Sequence, residues 1–234
     1  MRPFATFWPW IGLGLAALLL PALWTGVLRT NRVLPRFHDI SWLAWAATTA
    51  YLLHQFEEHG IDAHGVPYAF RGFLCAMLGL GAPSTCPIPA AFITAVNVPV
   101  VWLAGPASAL LGRRRPEIAL SYFSVPAVNA FAHIGPAVAN GGYDPGLLTA
   151  LLLFVPLCAW AFHVALANPQ LGRRAVTATL FAGIVLHLVL MLSLKAWLGG
   201  LIGERMMIFI QIINPVLPML LVPMALRSGR GSLR

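Results

Sequence analysis

The sequence predicts an all-α fold, a polytopic bundle of about seven transmembrane helices with its polar chemistry gathered in the outer half of the membrane. Three observations lead there. The 234 residues are 59% hydrophobic and only 9% charged, against about 25% charged in a typical soluble domain. The mean hydropathy is +0.80. Apolar stretches of roughly 20 residues, the length that crosses a bilayer, recur along the whole chain. Residues 1–234 therefore read as a single integral-membrane domain with no room for a separate soluble one.

Spans are expected at Trp8–Leu28, Ser41–His59, Ile88–Leu111, Glu117–Val138, Gly146–Ala167, Ala175–Trp197 and Met206–Leu226. The first is too long for a signal-peptide core and no A-x-A-like site follows it, so it reads as a span and not as a cleaved leader. Pro21, Pro99, Pro126, Pro156 and Pro215 fall inside spans. Bundled membrane helices tolerate proline because neighbouring groups re-satisfy the freed backbone.

The net charge of +8 raises the question of a nucleic-acid partner. The distribution of that charge answers it. Arg29, Arg32, Arg36, Arg113, Arg114, Arg115, Arg173, Arg174, Arg227, Arg230 and Arg234 fall on one side of the bundle, eleven of the fifteen basic residues. Arg2, Arg71 and Arg205 fall on the other, with Lys195 near the end of span six. The positive-inside rule then puts the N-terminus outside and the C-terminus in the cytoplasm. The basic residues are a topology signal, their expected neighbours are anionic lipid heads, and no nucleic-acid partner is expected. The Ala, Gly, Arg and Pro bias suggests a GC-rich bacterial genome, and hence the cytoplasmic (inner) membrane.

The long connection, Gly60 to Pro87, lies on the outer side. Within it Tyr68–Leu80 is apolar but too short to span, which fits an interfacial or re-entrant helix. Cys75 and Cys86 both fall in this segment. An oxidising exterior permits a disulfide between them, and two free thiols fit the sequence equally well.

Chemistry concentrates at the outer ends of two spans. Span two closes with His54-Gln55-Phe56-Glu57-Glu58-His59. Helical positions i, i+3 and i+4 share a face, so His54, Glu57 and Glu58 project together. Ionisable groups inside a membrane are costly and mark functional sites by default. In span four, Asn129 and His133 are again i and i+4. Both spans run outward, and at 1.5 Å per residue His54 and His133 each lie roughly 8 Å below the outer boundary. Beyond span four, Gly141-Gly142-Tyr143-Asp144-Pro145-Gly146 makes a tight turn that places Tyr143 and Asp144 over the same end. Asn97, His187, Gln211 and Asn214 add polar groups in the outer half or near the midplane, whereas polar packing contacts alone would spread through the depth. His59, Asp62 and His64 read as solvated loop residues.

Two imidazoles and a carboxylate suit zinc or iron(II). The expected ligands are His54, His133 and Glu58, with Glu57 open as the alternative carboxylate. Such a metal lowers the pKa of bound water or acts as a Lewis acid. The carboxylate left over serves as general base or orients a ligand histidine. Asn129 is placed to position substrate, Tyr143 to supply a proton or stabilise an oxyanion, and His187, Asn97 and Asp144 are further candidates.

Taken in order, His54-x-x-Glu57-Glu58, Asn129-x-x-x-His133 and Tyr143-x-Pro145-Gly146 resemble the motifs of the HXXEE membrane-protein family, over a core of about residues 45–165. The resemblance implies an enzyme-like membrane protein open to metal dependence, with these residues as its signature and no reaction attached. Pro145 and Gly146 are expected to shape the turn.

The leading expectation is a membrane-embedded metal-dependent hydrolase acting on a lipidic or amphipathic substrate in the outer half of the membrane. A metal-free acid–base isomerase or cyclase uses the same carboxylates and imidazoles. A proton-coupled transporter needs polar groups on both sides, and the inner half has few. A haem protein could use His54 and His133 as ligands at equal depth. Serine-nucleophile, phosphate-loop and dinucleotide motifs are absent from the sequence, as is H-E-x-x-H. Nothing in the sequence bears on the oligomeric state.

Overall fold

In hydrocarbon every backbone N–H and C=O must be satisfied by the protein itself, which leaves helices as the solution for a chain this apolar. The structure, a computed structural model describing residues 3–29 and 31–230, is helical throughout its regular parts, apart from an isolated bridge between Ile61 and Pro67. Arg2 and Arg234, which entered the charge asymmetry, lie outside the described residues. The helices are α1 Pro3–Thr25, α2 Ile40–His59, α3 Ala69–Met77, α4 Ala90–Leu111, α5 Pro116–Asn140, α6 Leu147–Ala167 and α7 Gly172–Leu198, and α8 Glu204–Ile213 with α9 Val216–Arg230.

Five of these, α1, α4, α5, α6 and α7, are long and apolar enough to cross a membrane, and α8 with α9 makes a sixth if the bent pair is one span. The expected span at Met206–Leu226 is thus two helices meeting at 46°. Pro215 sits at the break, lacking the N–H that would continue the ladder. The expected span at Ser41–His59 is the helix α2, which is not apolar enough to join the five. Its position explains its composition. All but Ala46, Leu53 and Phe56 of its residues are buried, so α2 is shielded from lipid by its neighbours and can carry polar side chains that a lipid-facing helix cannot.

Local signals account for the helix ends and crossings. Asp39 caps α2, its Oδ1 accepting from Ser41 N at 3.0 Å and Trp42 N at 3.2 Å, as an N-cap aspartate should. Where α7 crosses α5, a Cβ on Gly183 would lie 2.3 Å from the Ser124 carbonyl oxygen. Only glycine lets these backbones approach so closely, the usual device for packing helices in lipid. The outward faces are apolar: Leu18, Trp24, Leu152, Phe181 and Leu192 are all exposed. A contiguous apolar exterior is the surface of a protein that faces hydrocarbon.

Two spans contain widened π-helical turns, Pro99–Ala104 in α4 and Ala150–Phe154 in α6. The core forms three clusters along the bundle. One gathers around Leu43, Leu120 and Phe123, the next around Tyr51, Val101 and Phe154, and the third around Trp8, Cys75, Ile88 and Phe92. The third cluster includes α3, which is the short apolar helix expected within Tyr68–Leu80. Cys75 and Cys86 are joined in a disulfide, with their Cα atoms 5.6 Å apart, so of the two arrangements open to the sequence the structure has the bonded one.

Candidate metal centre

The last turns of α2 meet α5 and the start of α6 between the second and third core clusters. The His54 ring is held by apolar contacts on both sides, its centroid 4.4 Å from that of Phe154 and 5.4 Å from that of Tyr51. It lies edge-on to the His133 ring, centroid to centroid 5.0 Å. Glu58 completes the group. Its Oε2 is 3.5 Å from His54 Nε2 and its Oε1 is 3.8 Å from His133 Nε2. His54, Glu58 and His133 are all buried, and one ligand atom from each lies within 4.8 Å of the others, a cluster that could hold a metal ion. The direct contact of the two rings leaves no gap for a macrocycle between them.

The far sides of both imidazoles determine which nitrogen carries the lone pair. His133 Nδ1 is 2.6 Å from Asp144 Oδ1. A carboxylate only accepts, so Nδ1 carries the hydrogen and Nε2 is left free toward Glu58. His54 Nδ1 is 2.8 Å from Thr149 Oγ1. The Thr149 hydroxyl donates to Glu57 Oε2, so it accepts from His54, and the lone pair of His54 again sits on Nε2. That nitrogen is buried with no hydrogen-bond partner among the described residues. Metal-ligating histidines characteristically donate their other N–H in this way, which fixes ring orientation and raises basicity.

Adjacent glutamates therefore do different things. Glu58 faces the imidazoles. Glu57 faces the start of α6, where its Oε2 accepts from Thr149 N at 2.7 Å and its Oε1 from Leu148 N at 3.1 Å. These are N–H groups that a helix start leaves without intrahelical partners, and a carboxylate there also meets the favourable end of the helix dipole. Tyr143 donates to Glu57 Oε1 at 2.8 Å and accepts from Ala63 N at 3.0 Å. Partial burial and the neighbouring Glu57 carboxylate raise the Tyr143 hydroxyl above its usual range, so it remains a donor.

The turn before α6 is shaped by Gly146. Its φ is +103°, a conformation L side chains rarely adopt. A Cβ there would sit 2.8 Å from Cε1 of both His54 and His133. Glycine at this position leaves the room in which the two rings meet.

Among the other sequence candidates, Asn129, His187 and Asn97 lie apart from the three-residue cluster, and all line a neighbouring cavity of about 440 Å³ that also touches Glu58, His133 and Asp144. Asn97 is partly committed elsewhere, its Nδ2 donating to the Ile93 carbonyl at 3.0 Å. The expectation that His59 and Asp62 are solvated is corrected. Both are buried: His59 Nε2 lies 3.0 Å from Glu58 Oε2 under Trp8 and Phe70, and Asp62 accepts from His64 N and Val66 N to build the loop. His64 is exposed, stacked on Tyr143. The connection between α2 and α4 folds back over the site instead of extending into water. Thr149 was not anticipated. Its only sequence signal is its place in the first turn after Tyr143-Asp144-Pro145-Gly146, where a hydroxyl can reach back across the helix start.

Residues from each of the three motifs thus converge in space from three separate segments, with Asn129 set apart on the cavity wall. The model of the family described as "protein of unknown function with HXXEE motif" matches residues 45–161. The chain belongs to the HXXEE family. No curated protein and no solved structure matches it. In this HXXEE protein the signature has a physical reading: H-x-x-E-E supplies His54, Glu57 and Glu58, N-x-x-x-H supplies His133, and Y-x-P-G supplies the tyrosine on Glu57 and the glycine between the rings.

Proposed function

We propose that this HXXEE protein is a membrane-embedded metal-dependent hydrolase whose substrate is lipidic or amphipathic and reaches the site within the outer half of the bacterial cytoplasmic membrane. The observation that carries the reading is the pair of Nε2 lone pairs turned toward Glu58, each set by a hydrogen bond on the far side of its ring. Two imidazoles and one carboxylate are the ligand set of catalytic zinc and of non-haem iron sites that keep open positions. A divalent metal there supplies a Lewis acid against a carbonyl or phosphoryl oxygen.

The residues around it divide the remaining work. Asp144 and the Thr149–Glu57 pair orient the two imidazoles. Tyr143 anchors Glu57 by donating to it. His59, in contact with Glu58 and lying next to a second, outward-lying cavity near Arg71, gives the site a polar flank. The other flank is the cavity of about 440 Å³, within the range of about 300–1,000 Å³ usual for small-molecule sites. Its wall is mostly leucine, valine, isoleucine, phenylalanine and methionine. Phe131 and Met77, both exposed, sit on it, which supports access from the lipid side.

The outer placement rests on two independent features. The arginines after α1, α4 and α6 argue that those ends face the cytoplasm, and the Cys75–Cys86 disulfide argues that the opposite end, which carries the site, faces an oxidising compartment.

The test is elemental analysis of protein purified in mild detergent without chelators, with His54→Ala and His133→Ala alongside. One metal per chain in the parent, lost in both variants, is the expected result. No metal in any sample would sink the reading and shift weight to proton chemistry by the same cluster.

A further inference from the structure

The cavity beside the metal centre carries a second set of polar residues, at the α7–α8 side, that the ligand cluster does not use. Gln211 and Asn214 are buried in a membrane interior where polar groups are costly. Their hydrogen bonds fix which way each amide points. Gln211 Nε2 donates to Ser193 Oγ at 2.7 Å, which turns its Oε1 toward Asn214. Asn214 Nδ2 donates to the Leu186 carbonyl at 3.0 Å and approaches Gln211 Oε1 at 3.4 Å. Both amide hydrogens of Asn214 are thereby directed at acceptors. Its Oδ1 has no partner among the described residues, and Asn214 lines the cavity.

His187 stands next to this group in the chain, one residue from the carbonyl that Asn214 grips, and lines the same cavity. Its Nδ1 is 2.8 Å from the Gly183 carbonyl oxygen, which can only accept. In the neutral ring this leaves Nε2 as an acceptor. The pair therefore presents acceptors, Asn214 Oδ1 and His187 Nε2, and no spare donor. An acceptor buried without a partner costs free energy that a matching donor recovers.

We propose that Asn214 and His187 form the recognition station for the substrate's polar group, and that this group is an uncharged hydrogen-bond donor, a hydroxyl or an amide N–H, on a chain-bearing neutral lipid. Among the described residues no lysine or arginine lines the cavity, so a phosphate or carboxylate headgroup has no side-chain counter-charge beside Asn214 and His187. The carboxylates that also line the cavity, Glu58 and Asp144, are engaged by the His54 and His133 imidazoles, so at Asn214 and His187 an ammonium would meet only neutral acceptors, too little to offset its desolvation. The leucines at 186, 190 and 194 on α7 provide the apolar wall for the chain. The inference rests on reading this cavity as the substrate chamber of the metal centre.

The test uses the full chain in lipid nanodiscs and three photo-cross-linking probes of equal length bearing a diazirine: a long-chain alcohol, its O-methyl ether and the corresponding alkylamine. Labelling of the α7 peptide is read by mass spectrometry, and metal content is measured on the same samples. The alcohol is expected to label about ten times more than the ether, the scale of one well-made hydrogen bond. His187→Leu and Asn214→Leu each bring that ratio toward one with metal content unchanged. His187→Leu loses only a bond to its own helix, so it keeps the test available should Asn214→Leu fail to fold. Equal labelling by alcohol and ether in the parent, a ratio unchanged in His187→Leu, or stronger labelling by the amine overturns the proposal. A metal-free protein that keeps the alcohol preference overturns the metal reading and leaves the recognition station standing.

Discussion

Glu57 and Thr149 meet through two bonds: the Thr149 N–H and the Thr149 hydroxyl both donate to Glu57 Oε2. Because the same hydroxyl accepts from His54 Nδ1, the carboxylate acts on the candidate metal ligand at one remove, while its neighbour Glu58 faces the ligand atoms directly. The two glutamates should therefore fail differently. Glu58→Ala is expected to abolish metal binding with a modest effect on folding. Glu57→Ala is expected to weaken metal affinity by about 10–100-fold, the usual loss when a ligand's supporting partner is removed. It should also lower the melting temperature, because two N–H groups at the start of α6 lose their acceptor at about 1–3 kcal/mol for each group left unsatisfied. Chelator competition and thermal melting of the two variants side by side check this. Equal metal loss with equal melting temperatures would remove the division of labour.

Gly146→Ala isolates the packing between the imidazoles. The substitution strains a backbone at φ +103° and drives a methyl within 2.8 Å of both rings. Metal occupancy should fall together with stability, by an amount above the roughly 1–3 kcal/mol of backbone strain alone. Gly141→Ala is the control. It also has a positive φ, +64°, but open space around its Cβ, so it should cost stability and leave the metal in place. If Gly146→Ala binds metal like the control, the glycine serves the turn and not the site.

Much of this arrangement is legible in the chain. The fold class follows from hydropathy, and the i, i+4 pairing of His54 with Glu58 and the equal depth of His133 follow from helical geometry. What spacing could not decide was which glutamate faces inward. A 100° step per residue puts Glu57 and Glu58 on one broad arc, and the choice between them is made by α6, whose two N–H groups require a carboxylate. Asp144 stands in the sequence only as a further candidate, because its partner, His133, is reached only when the turn folds back over α5. His59 and Asp62 read as solvated because loops usually are, and here Phe70 of the disulfide-bonded α3 segment covers His59 while Asp62 is taken up by the N–H groups of its own loop. The seven expected spans include α2, which length and composition alone leave out of the five or six candidates. A hydropathy window measures a helix's own composition, whereas α2 is permitted its polar residues by what surrounds it.

Metal occupancy should fall as the pH is lowered below the ordinary imidazole range, about 6.5, because His54, His133 and Glu58 coordinate only when deprotonated and protons compete for the same lone pairs. The Tyr143 bond to Glu57 should not contribute to that acid loss. Its hydroxyl is raised by burial and by the Glu57 carboxylate, so the folded state holds this proton more tightly than the unfolded state. Its stabilising effect is complete below the unfolded value and is lost only as pH rises through the folded one. Metal retention against pH in the parent and in Tyr143→Phe checks both statements. Parallel acid limbs are expected, and a shift of the acid limb in Tyr143→Phe would show that the tyrosine proton is part of the ligand equilibrium.

The disulfide ties topology to stability in one experiment. Cys75 and Cys86 are separated by 11 residues, and closing a loop of that size contributes about 2–3 kcal/mol by restricting the unfolded chain. The bond anchors α3 in the core cluster that contains Trp8, Ile88 and Phe92, and Trp8 packs on His59 beside Glu58. Reduction, or the pair Cys75→Ala with Cys86→Ala, should lower the melting temperature and loosen metal binding, because the cover over His59 loosens with it. In intact spheroplasts, brief reduction followed by a membrane-impermeant maleimide should label these cysteines from the external face. Cys158, buried within α6, should stay unreactive until the protein is denatured. Labelling at Cys75 and Cys86 only in inverted vesicles would reverse the orientation, place the arginine clusters outside, and move the substrate's point of access to the inner leaflet.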